Sequence, residues 1–429
     1  MPQRLTPPAR LLCVGAACLL LAGCASWPRR RETRPCCFTG KPVVHEPPIW
    51  WHLFDVTVIE PVEYSLELVR PARKLIGMPV RAANLRHGEL GDSIFWTARD
   101  PAALSPAEVR AGPTRPDDMP TPPYTVTKAK TEGQTAGFFV DDARGRPYLF
   151  KLDPVHAPEL LSGAEVVTSK LLYALGYHVP SYEAVTCALD EVRLSPGARM
   201  RGADGAMHPF TDDALRALLT PRAREGRVRV SSSKILDGEI LGPANFKKFR
   251  DCAEMRALKV AYAWVNNIDA KDHNSLLVWD GQRTVGYLID FGTSLGADAG
   301  SGGPKSPCAG WLNIVDLTEA SLKLLTLGLH QPPCEAPSPP MSPAVGLFTE
   351  TVDPQAWKPY APNLAFAEMN EDDARWIARR MARLSREQVE AAVAAGRYSR
   401  PADAAYVTET LEQRRQSIVR RYLKEQEDR

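Results

Sequence analysis

The sequence predicts an α+β protein of two lobes, a small β-rich N-lobe and a mostly helical C-lobe. Three observations predict it. Three short apolar runs separated by turns fill residues 124–152 and lead into an amphipathic stretch ending at Gly176. Capped helical patterns dominate residues 370–423. Between these, residues 265–296 carry two polar motifs on either side of a strand–turn–strand pattern. Apolar residues make up 44% of the 429 and charged residues 24%, enough for a proper core. A net charge of +2 gives no case for a nucleic-acid partner.

At the start of the chain, Arg4 and Arg10 precede an apolar run over 11–21, followed by Leu21-Ala22-Gly23-Cys24. A basic flank, a short apolar run and small residues at the cut describe a secretory signal over 1–23. The run is too short to span a bilayer core of ~30 Å, and no later stretch reaches ~18 apolar residues. Residues 24–123 read as a tether and an irregular region to which no chemistry is assigned. Within it, Trp50, Trp51 and 54–59 fit an amphipathic anchor or a strand, and 77–85 a short strand. Prolines cluster in 28–48, 101–123 and 332–343, which read as loops. Beyond the signal, Cys36, Cys37, Cys187, Cys252, Cys308 and Cys334 form an even set that permits disulfides. Cys308 with Cys334 is the preferred pair, because both flank one segment. Cys187 and Cys252 read equally well as buried thiols.

Residues 124–240 form the N-lobe, with strands at 124–130, 138–141 and 147–152 and an insertion at 196–227. The turn 131–137 holds Gly133 and Gly137, whose backbone N–H groups can approach a phosphate. Lys151 lies inside an apolar strand and needs a partner. A helix spans 162–176. Ser162-Gly163-Ala164-Glu165 reads as its capping box. Glu165 reads equally as the partner of Lys151, with Glu159 as the other candidate. A strand at 183–189, a short helix at 211–219 and a strand at 228–236 toward the inter-lobe hinge complete this half.

Residues 241–429 form the C-lobe. A helix over 245–265 buries Phe249, Met255, Leu258, Ala261, Tyr262 and Val265, and delivers the loop that follows. Asp269, Lys271 and Asn274 stand in the spacing D-x-K-x-x-N, and Asp290-Phe291-Gly292 comes sixteen residues after Asn274. A hairpin of 275–279 and 285–289 separates them, with Asn274 at its entrance and Asp290 at its exit. Two oxygen ligands thus converge on one point, an arrangement that suits Mg2+ with phosphates filling the remaining positions. A Gly/Pro/Ser-rich loop at 297–310, a helix at 317–327 and an extended stretch at 354–362 with packing roles for Trp357 and Tyr360 follow. Asn370 caps a helix to 384, Ser385 caps another ended by Gly396, and 402–423 makes a third. Its Arg414, Arg415, Arg420 and Arg421 read as a polar face, solvated or turned to anionic lipid.

These motifs resemble protein-kinase-like enzymes, whose pattern is H-R-D-x-K-x-x-N followed by D-F-G. Asn267-Ile268 stands where His-Arg is usual. Lys130-Thr131-Glu132-Gly133 with Gly137-Phe138, Lys151-Leu152-Asp153 and Ala174-Leu175-Gly176-Tyr177 complete a set that resembles a family of bacterial exported, kinase-like lipoproteins. More distantly it is similar to the HipA and CotH kinase-like groups. The resemblance covers about residue 124 to the end and implies a two-lobed protein-kinase-like fold. It implies ATP with Mg2+ as cofactors, with Gly133, Gly137, Lys151 and Glu165 at the nucleotide and Asn274 and Asp290 at the metal. Asp269 would act on the acceptor hydroxyl and Lys271 on the transferred phosphoryl group. The acceptor would be a protein or a small molecule. Cys24 resembles the lipidated residue of a bacterial lipoprotein, which implies a lipid-anchored place in the cell envelope, at the outer membrane, facing periplasm or surface. The missing His-Arg, and an envelope location where ATP is scarce, leave open a kinase-like binding module without catalysis. Transfer of AMP in place of phosphate needs the same residues.

Overall fold

The computed structural model describes residues 41–42, 51, 54–131, 133–202, 204–336 and 338–424. The signal segment, Cys24, Cys36, Cys37, Trp50 and Glu132 lie outside the described residues. The chain divides into two units, Met1–Pro35 and Cys36–Arg429, and the description below concerns the second. Among the described residues, no helix is long and apolar enough to cross a membrane.

The stretch read as an anchor or strand is helical. A π-turn at Asp55–Ile59 runs into α1 (Glu60–Leu66), and α2 (Val69–Leu75) follows. The short strand expected at 77–85 is absent. Only Leu85–Arg86 pairs, with Glu89–Leu90. α3 (Pro106–Ala111) is opened by a Ser105–Glu108 capping box. Far from irregular packing, residues 94–109 enter the main core through Ile94, Phe95, Trp96 and Val109. The Trp96 indole donates to the Leu175 carbonyl at 2.9 Å. Gly176 makes room for that ring, since a Cβ there would lie 2.3 Å from the indole nitrogen.

The N-lobe sheet has seven strands. They are β1 (Tyr124–Ala129), β2 (Gly137–Asp141), β3 (Pro147–Leu152), β4 (Tyr182–Ala188), β5 (Val192–Arg201), β6 (Met207–Pro209) and β7 (Arg227–Lys234), in the order β4-β7-β3-β2-β1-β5-β6. Only β1 and β5 run parallel. The expected insertion at 196–227 is part of this sheet, supplying the end of β5 and all of β6. Between β3 and β4 lies α4 (Leu160–Ala174), on one face of the sheet. On the other face, Val126, Phe138, Val140 and Phe150 pack with Leu215 and Leu219 of α5 (Asp212–Leu219). Alternation along β1 and β2 explains the two faces, since side chains in a strand point up and down in turn.

The chain leaves the sheet through residues 235–238 to β8 (Glu239–Gly242), which pairs with β9 (Ser275–Trp279), itself paired with β10 (Thr284–Leu288). The helix expected over 245–265 is split. A 3-10 turn at Phe246–Phe249 precedes α6 (Ala253–Val265). All of α6 except Lys259 is buried, as a helix apolar on most sides must be. Further on come α7 (Leu317–Leu325), α8 (Leu364–Ala367), α9 (Glu371–Ala382), α10 (Arg386–Ala395) and α11 (Pro401–Val419). Asn370 and Ser385 cap α9 and α10 through full capping boxes with Asp373 and Gln388. The expected α+β, two-lobed architecture is therefore present.

Cys308 and Cys334 form a disulfide. Cys187 is a free buried thiol, whereas Cys252 is disulfide-bonded, which removes the buried-thiol reading for that residue. Arg414 departs from the polar face expected of it. It is buried, and its guanidinium donates to the carbonyls of Ala263, Trp264, Thr349 and Thr351. Two of these belong to the last turn of α6, whose carbonyls have no partner within the helix.

Candidate active site

Lys151 points inward from β3, and strand geometry fixes what stands beside it. Gly137 is its register partner on β2, and a Cβ there would lie 2.4 Å from the Phe150 carbonyl oxygen. Gly137 is thus required by close strand approach. Gly133, at the tip of the turn, has φ +72°, which glycine adopts without steric cost.

The Lys151 ammonium lies 2.5 Å from Glu165 Oε1 and 3.0 Å from Asp290 Oδ1. Three elements separated in sequence therefore meet on one nitrogen: β3, α4 and the segment after β10. The second Glu165 oxygen accepts from the Ser231 hydroxyl of β7 at 2.6 Å. Burial alone would lower the Lys151 ammonium. Asp290 and Glu165 outweigh that and hold it well above the usual lysine range, so it stays charged.

Glu165 is free for this role because it is not a cap. The Ser162–Glu165 capping box read from the sequence does not form. α4 begins two residues earlier, at Leu160, with no capping hydrogen bond from its own N-cap. Asp153, at the end of β3, does the capping from outside. Its Oδ1 accepts from the Leu161 and Ser162 N–H groups at 3.0 and 2.8 Å, and its Oδ2 from the Ser162 hydroxyl at 2.6 Å. Arg229 of β7 donates to the Ser162 hydroxyl and to the carbonyls of Gly396 and Arg397, fastening α4 to the C-lobe. Glu159, the other candidate for Lys151, instead accepts from the Ser399 N–H at 2.8 Å.

Asp290 follows β10 with φ +59°, a conformation uncommon outside glycine. Its N–H donates to the Tyr182 hydroxyl at 3.2 Å, and Phe291 beside it is fully buried, edge-on to the Tyr182 ring. Burial would raise the Asp290 carboxyl, but the Lys151 ammonium, with Lys130 and Lys271 adding to it, holds it below the usual carboxylate range. The side chain keeps 37% of its surface accessible, so it is ionised and reachable.

Asn274 and Asp290 flank the open end of the β9–β10 hairpin. Ser275 is the register partner of Leu288, and the Ile289 N–H donates to the Asn274 carbonyl at 2.9 Å. The Asn274 amide nitrogen donates to the Asp269 carbonyl at 2.6 Å. A carbonyl only accepts, so that contact assigns the nitrogen and leaves the amide oxygen as the end available to a cation. Among the described residues, no group of three His, Cys, Asp or Glu side chains could hold a metal. Asn274 and Asp290 offer two protein oxygens, which fits Mg2+ completed by phosphates and water.

Asp269 and Lys271 are joined by a 2.8 Å ion pair, 20% and 29% exposed. The support missing with His-Arg is built differently. Asn267 Oδ1 accepts from the Thr293 hydroxyl at 3.2 Å, the Ile268 N–H donates to the Thr293 carbonyl, and the Tyr360 N–H donates to the Ile268 carbonyl. The loop is thus bonded to the segment just past Gly292. Of the residues at this site, sequence reasoning missed Ser231, Tyr182, Asp153 and Arg229. The Ser231-Ser232-Ser233 run beside Val228 and Val230 was the available signal for one of them.

No protein-family model matches the chain, and no curated protein matches it. Among solved structures, the Helicobacter pylori proinflammatory kinase CtkA is similar at 12% identity with a TM-score of 0.36, over 71% of this chain and 99% of its own. A structure of the Golgi casein kinase is similar at 9% identity with a TM-score of 0.29, over 85% of this chain and 91% of its own. Another of the Golgi casein kinase with Mn/ADP bound is similar at 9% identity with a TM-score of 0.28, over 72% of this chain and 76% of its own.

Proposed function

We propose that this chain is a protein-kinase-like phosphotransferase that binds Mg-ATP between its lobes and passes a phosphoryl group to a hydroxyl acceptor. In the same reading a lipid on Cys24 tethers it to the cell envelope. The observation that carries the proposal is the Lys151 ammonium held between Glu165 and Asp290. A purely structural ion pair has no need of a second carboxylate that is solvent-accessible and held at a positive φ.

Each residue then has a task. Lys151 meets the nucleotide phosphates, with its position set by Glu165, and the backbone around Gly133 lies against them. The Asn274 amide oxygen and the Asp290 carboxylate hold Mg2+, which when bound offsets the charge on the phosphates. Asp269 orients the acceptor hydroxyl and takes its proton, and Lys271 neutralises the group being moved. The acceptor is a hydroxyl of a protein or a small molecule.

Thermal unfolding with and without Mg-ATP tests the reading. At a hundredfold excess over Kd, wild type is expected to gain about 2–4 °C, and Asp290→Ala to gain nothing. No shift for wild type rejects nucleotide binding. Incubation with α- or γ-labelled ATP then separates the alternatives. Label moving from the γ position means phosphoryl transfer, and from the α position AMP transfer. Binding without either is the module without catalysis.

A further inference from the structure

Lys130 has no part in the roles above, yet it stands at the same cleft. It directly follows β1, and its N–H donates to the Gly137 carbonyl at 2.9 Å, closing the stem of the 131–136 turn. The half-buried side chain folds back across that turn. Its Nζ donates to the Thr135 carbonyl at 3.1 Å, and a Cβ at Gly133 would stand 2.9 Å from the same nitrogen. The ammonium thus sits within the glycine turn, the backbone that would cover a phosphate chain. Its charge acts on Asp290 together with those of Lys151 and Lys271.

Charge balance gives that position a purpose. Glu165, Asp269 and Asp290 place three carboxylates at the cleft, against two lysines paired with them, Lys151 and Lys271. A polyphosphate entering this arrangement would meet a net negative site before any cation arrived. Lys130 adds a further positive charge beside Asp290, and Mg2+ would add to it.

We propose that Lys130 is a phosphate-binding residue that exchanges its bond to the Thr135 carbonyl for the polyphosphate of the nucleotide. This rests on the Mg-ATP reading above and assigns the glycine turn a side-chain contact in addition to its backbone. A charge-assisted hydrogen bond of this kind contributes about 1.5–3 kcal/mol, or roughly ten- to a hundredfold in affinity.

The test is calorimetric titration of ATP, ADP and AMP, each with Mg2+, into wild type, Lys130→Met and Lys130→Arg. Lys130→Met should weaken ATP about tenfold or more, ADP less, and AMP least. Lys130→Arg should recover most of the loss, and the unfolding temperature of the free protein should not move. Equal weakening of ATP and AMP would show a role only in turn structure and overturn the proposal. Unchanged ATP affinity in Lys130→Met, with wild type binding, overturns it alone. A wild type that binds none of the three overturns both this proposal and the function it rests on.

Discussion

The two charged clusters of the candidate site are built by opposite means. At the inner end, Lys151 and Glu165 are 8% and 2% exposed, and their charged groups are bonded to other side chains. At the outer end, Asp269 and Lys271 remain partly open to solvent, and the loop that presents them is held largely through backbone carbonyls. The difference teaches where each kind of order is useful. The buried charges are held by one another. The wetter pair stands on a loop whose backbone is fixed instead.

Removing one member of the buried pair should break this contrast most. Glu165→Ala leaves the Ser231 hydroxyl without its acceptor and Lys151 with Asp290 alone in a dry site, at an expected cost of about 3 kcal/mol in denaturant unfolding. Lys151→Met combined with Glu165→Leu should recover most of that stability without recovering a Mg-ATP shift. Lys271→Met at the exposed end should cost under about 1 kcal/mol. If the two ends lose equally, the contrast is wrong.

A smaller loss is expected from Asp153→Ala. It uncaps α4 and deprives the Ser162 hydroxyl of its acceptor, at about 1–2 kcal/mol, while the Lys151–Glu165 contact survives. Chemical denaturation gives the cost. A Mg-ATP shift lost outright in this variant would mean that the cap, and not the ion pair, sets the position of Glu165.

The smallest effect concerns pH. His178 Nδ1 lies 2.9 Å from the Ile94 carbonyl, which only accepts, so Nδ1 carries the proton and Nε2 accepts from the Thr97 hydroxyl. Burial pushes this imidazole down to about 4. The unfolded chain binds a proton there near pH 6.5 and the folded chain does not, so this term of stability is full above about 6.5 and declines as pH falls toward about 4. His178→Asn should reduce the loss between pH 7 and pH 5 by on the order of 1 kcal/mol, read from denaturation midpoints at each pH. An unchanged pH dependence would dismiss His178 as its source.

Legibility followed the same division. Asp269, Lys271, Asn274 and Asp290 were readable because their spacing is local and a two-strand pattern lies between them. Lys151 stood out as a charge inside an apolar strand. Glu165 was ambiguous for a physical reason. Ser-x-x-Glu at the start of a helix is a capping box by sequence, and only the fold brings Asp153 to cap the helix and release the glutamate. Residues 94–109 showed no period because Phe95, Trp96 and Val109 each pack on a different neighbour, against Phe249, Trp376 and the core beside α3. Arg414 looked solvated because composition places arginine outside. Its guanidinium instead answers helix-end carbonyls, a need created only by tertiary packing.

The enclosure of α4 has a last consequence. Every residue of this helix except Tyr173 is buried, Gly163 admits the Tyr398 ring against it, and Arg229 ties its start to Gly396 and Arg397. Swinging it aside to part Glu165 from Lys151 would mean dismantling the join between the lobes. A helix enclosed this way is costly to move. In the phosphotransferase proposed above, output would follow the supply of reactants and not a change of shape at the helix.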